Sequence, residues 1–415
     1  MKLAWVLSLV VLANCAPASA VGSGSSPAAT ASARSITSIE ATPTAPPPAS
    51  ATPLPAPSAE PQPTGVRANA LGKLTGNWLF VGKQVPDTSN ARAEVQIWAL
   101  PVDGGTPRFA FGYEVSLGGA PEGIFDNTPY LRRQFSPDGT RVVVSVGGRL
   151  VVVDLISGQT REIGVSGFFP SWSKDGSRIA FLFELPVGNV VPPESAIGVV
   201  PASGGPVKQL AVVGYAHQSV EWSPDGSMLI VAEPDRTAII DAASGNVIRT
   251  IPETAPSGSS FAHWRLTAPQ IALAVGRCDR TTTQLLTLAD PSEPFVIQLD
   301  TGKGCAEPTF RDPRWSPTRA TEVLYVAIRA EPGRMPSEYR AHVLDTYSGK
   351  DIALPFAVRE ATWTWDGERI AYLTASADRG VGDGVGLSRR DGTGSRSLLK
   401  AADRDIFFSV ASVAY

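Results

Sequence analysis

The residues whose types could do chemistry are few, and the sharpest set shares a position rather than a motif. A polar residue stands immediately before an aromatic at Gln134, Ser171, Glu221, His263, Arg314 and Thr362, the aromatics being Phe135, Trp172, Trp222, Trp264, Trp315 and Trp363. On a β-strand, successive side chains point to opposite faces, so burial of the aromatics would gather the polar set on one common side, a central channel. Two readings follow. One is a water-filled channel lined by ordinary polar groups; the other is a small-ligand or metal site built on Glu221, His263 and Arg314. A metal ring would want several carboxylates and amides, and Glu221 is the one carboxylate of the set, so neither a metal nor a cofactor is assigned.

Other chemistries lack their residues. The sequence contains no Gly-x-Ser-x-Gly elbow, no His-Glu-x-x-His pair and no phosphate loop, and His217, His263 and His342 fall at unrelated positions. No catalytic residue is therefore assigned. Asp138, Asp175, Asp225 and Asp366 look like catalytic carboxylates only out of context. Each stands before a Gly in a Ser/Thr-x-Asp-Gly phrase, where Asp bonds backbone within a tight turn and Gly takes the positive φ that follows.

That phrase carries the fold. Trp222-Ser223-Pro224-Asp225-Gly226 recurs as Phe135 to Gly139, Trp172 to Gly176 and Trp363 to Gly367, with degenerate copies beginning at Trp264 and Trp315. A spacing of roughly 40–50 residues is that of propeller blades. After each turn comes an apolar, β-branched run (142–146, 179–183, 229–232, 271–275, 323–328, 370–374), as expected of strands buried on both faces. A third strand then ends in a second turn at Ser157-Gly158, Ser244-Gly245 or Ser348-Gly349, and a short fourth strand follows. The expected fold is all-β, a β-propeller of seven four-stranded antiparallel blades, with six as the competing count. The first unit lacks an inner strand and the last is followed by a surplus run at 405–413, so the C-terminal strand is expected to complete the first blade and close the ring.

The aromatic-Ser-Pro-Asp-Gly turns followed by apolar strands resemble the TolB-like propeller repeats, also found in propeller domains of prolyl-oligopeptidase relatives, over about residues 75–415. The resemblance implies a fold. Its repeat serves binding scaffolds and non-catalytic halves of enzymes alike, and no room is left after the last repeat for a hydrolase domain. WD repeats match less well, since Trp365-Asp366 sits in the first turn.

The N-terminus reads as an export signal. Lys2 precedes a short apolar stretch ending in Leu12-Ala13-Asn14-Cys15, which resembles the bacterial lipobox, whose Cys is lipidated; Ala18-Ser19-Ala20 is a competing site for ordinary secretion. Residues 1–15 are thus taken as signal, 16–72 as a disordered tether rich in Ala, Pro, Ser and Thr, and 73–415 as the propeller. Either cleavage puts the body outside the cytoplasm, lipid-anchored at the cell membrane, periplasmic or secreted. Cys278 and Cys305 then remain as an even pair and are expected to form a disulfide, with two unpaired thiols as the alternative. The formal net charge of −3 argues against nucleic acid, and a monomer is expected. Long connections (83–93, 112–127, 184–195, 252–260, 302–312, 329–339, 375–384) fall on the face opposite the short turns. Variable loops on a rigid scaffold are where binding usually resides. The expected function is non-enzymatic binding of a protein or cell-envelope ligand through that face; the alternative is an extracytoplasmic hydrolase or lyase at the channel mouth.

Overall fold

A computed structural model of the chain describes residues 64–86, 92–116, 131–185, 195–213, 219–232, 236–252, 262–265, 270–276, 281–287, 295–297, 309–329, 338–375, 382–400 and 406–414. These form repeated antiparallel sheets. The repeat containing Glu221 is representative: Ser219–Trp222, Met228–Ala232, Arg236–Asp241 and Val247–Pro252 pair in chain order. The neighbouring repeats follow the same order from Phe168–Trp172 to Lys208–Val213 and from Ala262–Trp264 to Phe295–Ile297. Within each, the second and third strands carry the densest β-branched runs and are buried: Val142, Val143, Val144, Ile179, Leu229 and Ile230 are all at most 2% exposed.

The sheets stack face to face in chain order through apolar clusters. Val143, Leu150 and Val152 of one repeat pack on Trp172, Ile179 and Phe181 of the next. Leu182 and Ile197 pack on Val220 and Trp222, Ile230 and Ile239 on Trp264 and Ile271, and Ala272 on Trp315 and Val323. Leu324 and Val343 pack on Trp363 and Tyr372. The last repeat packs on the first through Ala371, Leu373 and Leu387 against Leu79, Val81 and Phe407.

The two ends of the chain meet in the first repeat. Ile406–Ala414 pairs antiparallel with Asn77–Pro86 from Asn77↔Ala414 to Gln84↔Ile406, supplying the inner strand that the sequence lacked there. A further strand, Val66–Ala68, adds to the outer edge by pairing with Arg108–Ser116. These strand residues lie before the boundary expected between residues 72 and 73. Leu71 and Leu74, apolar residues at the end of a polar tract, are 4% and 6% exposed, and Leu71 N–H and Gly72 N–H donate to the Leu155 and Ile156 carbonyls of the second repeat.

Two elements depart from the regular repeat. The inner strand expected around Gln134 is instead a helical turn, Leu131–Gln134, followed by a single bridge between Phe135 and Val142. Leu, Arg and Gln are good helix formers and none is β-branched, so local preference wins where few ladder bonds compete. The strand Asp351–Trp363 serves two sheets, its first half pairing with Glu338–Asp345 and its second with Arg369–Ala375. Cys15, Cys278 and Cys305 lie outside the described residues, and no helix among the described residues is long and apolar enough to cross a membrane.

Candidate functional site: the mouth of the central channel

The Ser/Thr-x-Asp-Gly turns set the inner strands. In each, the hydroxyl of Ser136, Ser173, Ser223 or Thr364 donates to the Asp at 2.5–2.6 Å. The same Asp oxygen accepts the backbone N–H two residues on, and the hydroxyl oxygen accepts the N–H five residues on. Gly139, Gly176, Gly226 and Gly367 take φ of 69–70°, the left-handed region that a Cβ disfavours. Hydrogen bonding holds Asp138, Asp175 and Asp225 below the usual carboxylate range against the opposing effect of burial. These carboxylates are occupied as turn acceptors.

Three of the aromatics before the turns tie one repeat to the previous one through the indole N–H. Trp222 Nε1 donates to the Ser171 carbonyl at 3.1 Å, Trp264 Nε1 to the Glu221 carbonyl at 3.2 Å and Trp363 Nε1 to the Arg314 carbonyl at 3.1 Å. The polar position thus contributes its backbone to the neighbouring repeat while its side chain faces the channel. Arg141 and Arg178, two residues past the turn Gly, stack on the Trp172 and Trp222 rings of the following repeats at 4.8 and 4.4 Å.

Inside the channel, charges pair across repeats. Arg133 Nε, on the helical turn, lies 2.7 Å from Glu221 Oε2, and His263 Nδ1 lies 3.1 Å from the same oxygen. Glu221 Oε1 also accepts the Trp264 N–H at 3.3 Å. Burial alone would raise the Glu221 carboxyl; Arg133 and His263 outweigh it and hold the pKa at about 2. A second group joins Arg314 to Glu360 at 3.3 Å, with Ser409 Oγ donating to the same Glu360 oxygen at 3.2 Å. Glu221, His263 and Arg314, three of the six expected residues, are thus engaged in charged pairs with groups of other repeats.

Beside the short turns lies a cavity of about 160 Å³. Of the six expected residues, Ser171, Glu221, His263 and Arg314 line it. Gln134 and Thr362 do not, although both are buried; the Thr362 hydroxyl turns back to the Trp363 carbonyl at 3.5 Å. Arg133 and Glu360 were not anticipated. Glu360 was within reach of the alternation argument, since it lies two residues before Thr362 on the same strand and so shares its face. Arg133 was not, because its orientation depends on the helical turn. The turns add Pro137, Lys174, Pro224, Arg265 and Trp365 to the lining, and the C-terminal strand adds residues between Ser409 and Ala414.

Neither a protein-family model nor a curated protein matches the chain. Solved structures do. An acylaminoacyl peptidase from Pyrococcus horikoshii aligns at 13% identity and TM-score 0.53 over 82% of this chain, which spans about half (53%) of that peptidase. The β-propeller domain of the Trilobed protease from Pyrococcus furiosus aligns at 13% identity and TM-score 0.43 over 78% of this chain and 84% of that one. TolB from Acinetobacter baumannii aligns at 15% identity and TM-score 0.38 over 80% and 83%. At these identities the likeness is one of fold alone: this is an all-β chain of repeated antiparallel sheets, similar in structure to the peptidase over 82% of its length.

Proposed function

We propose that the chain is a non-enzymatic, extracytoplasmic β-propeller that binds a protein or cell-envelope ligand, held at the cell membrane by a lipid on Cys15 or secreted. In this reading the described sheets are seven blades. The Ile406–Ala414 strand closes the ring, which agrees with the packing of the last repeat on the first.

One observation carries the choice of scaffold over catalyst. Glu221, the one carboxylate lining the described cavity, is held at a pKa of about 2 by Arg133 and His263. It is charged at every working pH and already paired, so it is neither a proton donor nor a free base. The long loops expected to carry binding fall largely outside the described residues. We take the channel mouth, on the short-turn face, as the ligand seat.

Affinity capture with the intact protein from detergent-solubilised envelopes, wild type beside Trp365→Ala, tests this. A ligand retained by the wild type and lost by the variant is the expected result. Turnover of peptide or polysaccharide substrates by the pure protein would overturn the non-enzymatic reading, and capture indifferent to the substitution would move binding to the long-loop face.

A further inference from the structure

The rim of the cavity departs from the repeat where the turn does not require it. The second residue of the Ser/Thr-x-Asp-Gly phrase is Pro137 and Pro224 in two copies, but Lys174 and Trp365 in the others. The turn's hydrogen bonds are the same in all four copies, and so is the Gly conformation. Neither the lysine nor the tryptophan is there to make the turn. Trp365 is one of few large apolar side chains left exposed, at 40%, with its backbone fixed by its own N–H donating to Ser412 Oγ at 2.9 Å. An indole half out of water on a rigid turn is a stacking surface.

The charges around it are unbalanced. Among the described residues the cavity lining includes Arg133, Lys174, Arg265 and Arg314, besides Arg132, which is itself engaged, against the single carboxylate of Glu221. Arg133 is matched by Glu221, and Arg314 by Glu360 just behind the lining. Arg265 has neutral partners, Gln270 Oε1 at 2.5 Å and the Trp315 ring at 5.4 Å. Among the described residues no hydrogen bond or ion pair engages the Lys174 ammonium. Partial desolvation at the cavity rim and the nearby Arg132 hold Lys174, whose side chain is exposed, below the ordinary lysine range. The cavity, about 160 Å³, is in the range that admits one six-membered ring, and Ser171, Ser409 and Ser412 add hydroxyls to its wall.

An apolar ring face, a negative charge and several hydroxyls on one six-membered ring describe a uronic acid. We propose that the channel mouth binds an acidic sugar unit of an envelope polysaccharide, its apolar face on Trp365 and its carboxylate toward Lys174 and Arg265. This rests on the binding-scaffold reading and supplies the ligand class for it.

The test titrates the full chain, followed by tryptophan fluorescence and by saturation transfer to ligand protons in NMR. The probes are an oligoglucuronate, the glucose oligomer of the same linkage and length, acetate, and an acidic peptide. The oligoglucuronate is expected to bind at least about tenfold more tightly than the neutral oligomer or acetate. Lys174→Ala should weaken it by about tenfold, the worth of one charge-assisted hydrogen bond. Trp365→Ala should abolish transfer to the ring protons. Equal binding of the neutral oligomer, equal binding of acetate, preference for the acidic peptide, no binding of the uronate, or indifference to both substitutions would each overturn the proposal. None of these would touch the scaffold reading, whereas conversion of the oligoglucuronate to an unsaturated product would sink that reading and leave the ligand class standing.

Discussion

Replacing Glu221 by Gln keeps shape and removes one charge from a buried three-residue cluster. In the wild type the carboxyl is depressed from 4.5 to about 2, and such a shift corresponds to about 3 kcal/mol of stability at neutral pH. The side chains of Arg133 and Glu221 are 6% and 18% exposed, so solvent screens the pair little. In the variant the Arg133 guanidinium stays buried without its counter-charge, and breaking a buried pair from one side costs about 3–5 kcal/mol. The two routes agree on about 3 kcal/mol. The sign with pH follows from the direction of the shift. A depressed carboxyl stabilises above its unfolded-state value, and that contribution fades as pH falls from about 4.5 toward about 2. Urea unfolding of both proteins across this range is the assay. Near neutrality the variant should be less stable by about 3 kcal/mol, and the gap should narrow through the acid window. Adding Arg133→Met should recover part of the loss, because it removes the orphaned charge. A variant within about 0.5 kcal/mol of the wild type, with an unchanged acid limb, would refute the claim that this ion pair holds the channel together.

Trp222→Phe and Trp172→Phe form a matched pair. Each ring carries an arginine, but Trp222 Nε1 reaches the Ser171 carbonyl whereas Trp172 Nε1 has no hydrogen-bond partner among the described residues. Thermal melts should show the Trp222 change costing about 1 kcal/mol more than the other, and equal losses would mean the inter-repeat bond contributes nothing. Asp225→Ala removes the acceptor of the Ser223 hydroxyl and the Ser227 N–H and should cost about 1–2 kcal/mol in denaturant unfolding. Ligand binding should be unaffected, and a selective loss of binding would show that the aspartate is more than a turn former.

What the sequence exposed was the part of the fold that each repeat builds for itself. The Ser-Pro-Asp-Gly turns, the apolar runs behind them and the polar-aromatic dipeptides are local, and their geometry follows from hydroxyl, carboxylate and glycine at fixed offsets. The same alternation brought Ser171, Glu221, His263 and Arg314 to one cavity. Legibility stopped where a residue's role depends on another repeat. Arg133 meets Glu221 across the channel only because Leu131–Gln134 coils. Val66–Ala68 is too short to carry a strand pattern and is defined by the edge it covers. Asp351–Trp363 runs through two sheets without a break, where the repeat period alone suggests two strands. The rim was not legible for a different reason: the departures that shape the cavity are single substitutions within short turns, which the repeat pattern passes over.

The first repeat is assembled from both extremes of the described chain, with Val66–Ala68 on its outer edge and Ile406–Ala414 on its inner one. Its middle strands emerge early in synthesis yet wait for a partner more than 300 residues away. Until that partner has left the ribosome, the edge of Asn77–Pro86 stays open to other chains, and the last repeat lacks the surface on which it packs. Assembly is thereby set on a clock read at the C-terminal end. Truncation by even one strand's length at that end would leave the edge of Asn77–Pro86 without its partner.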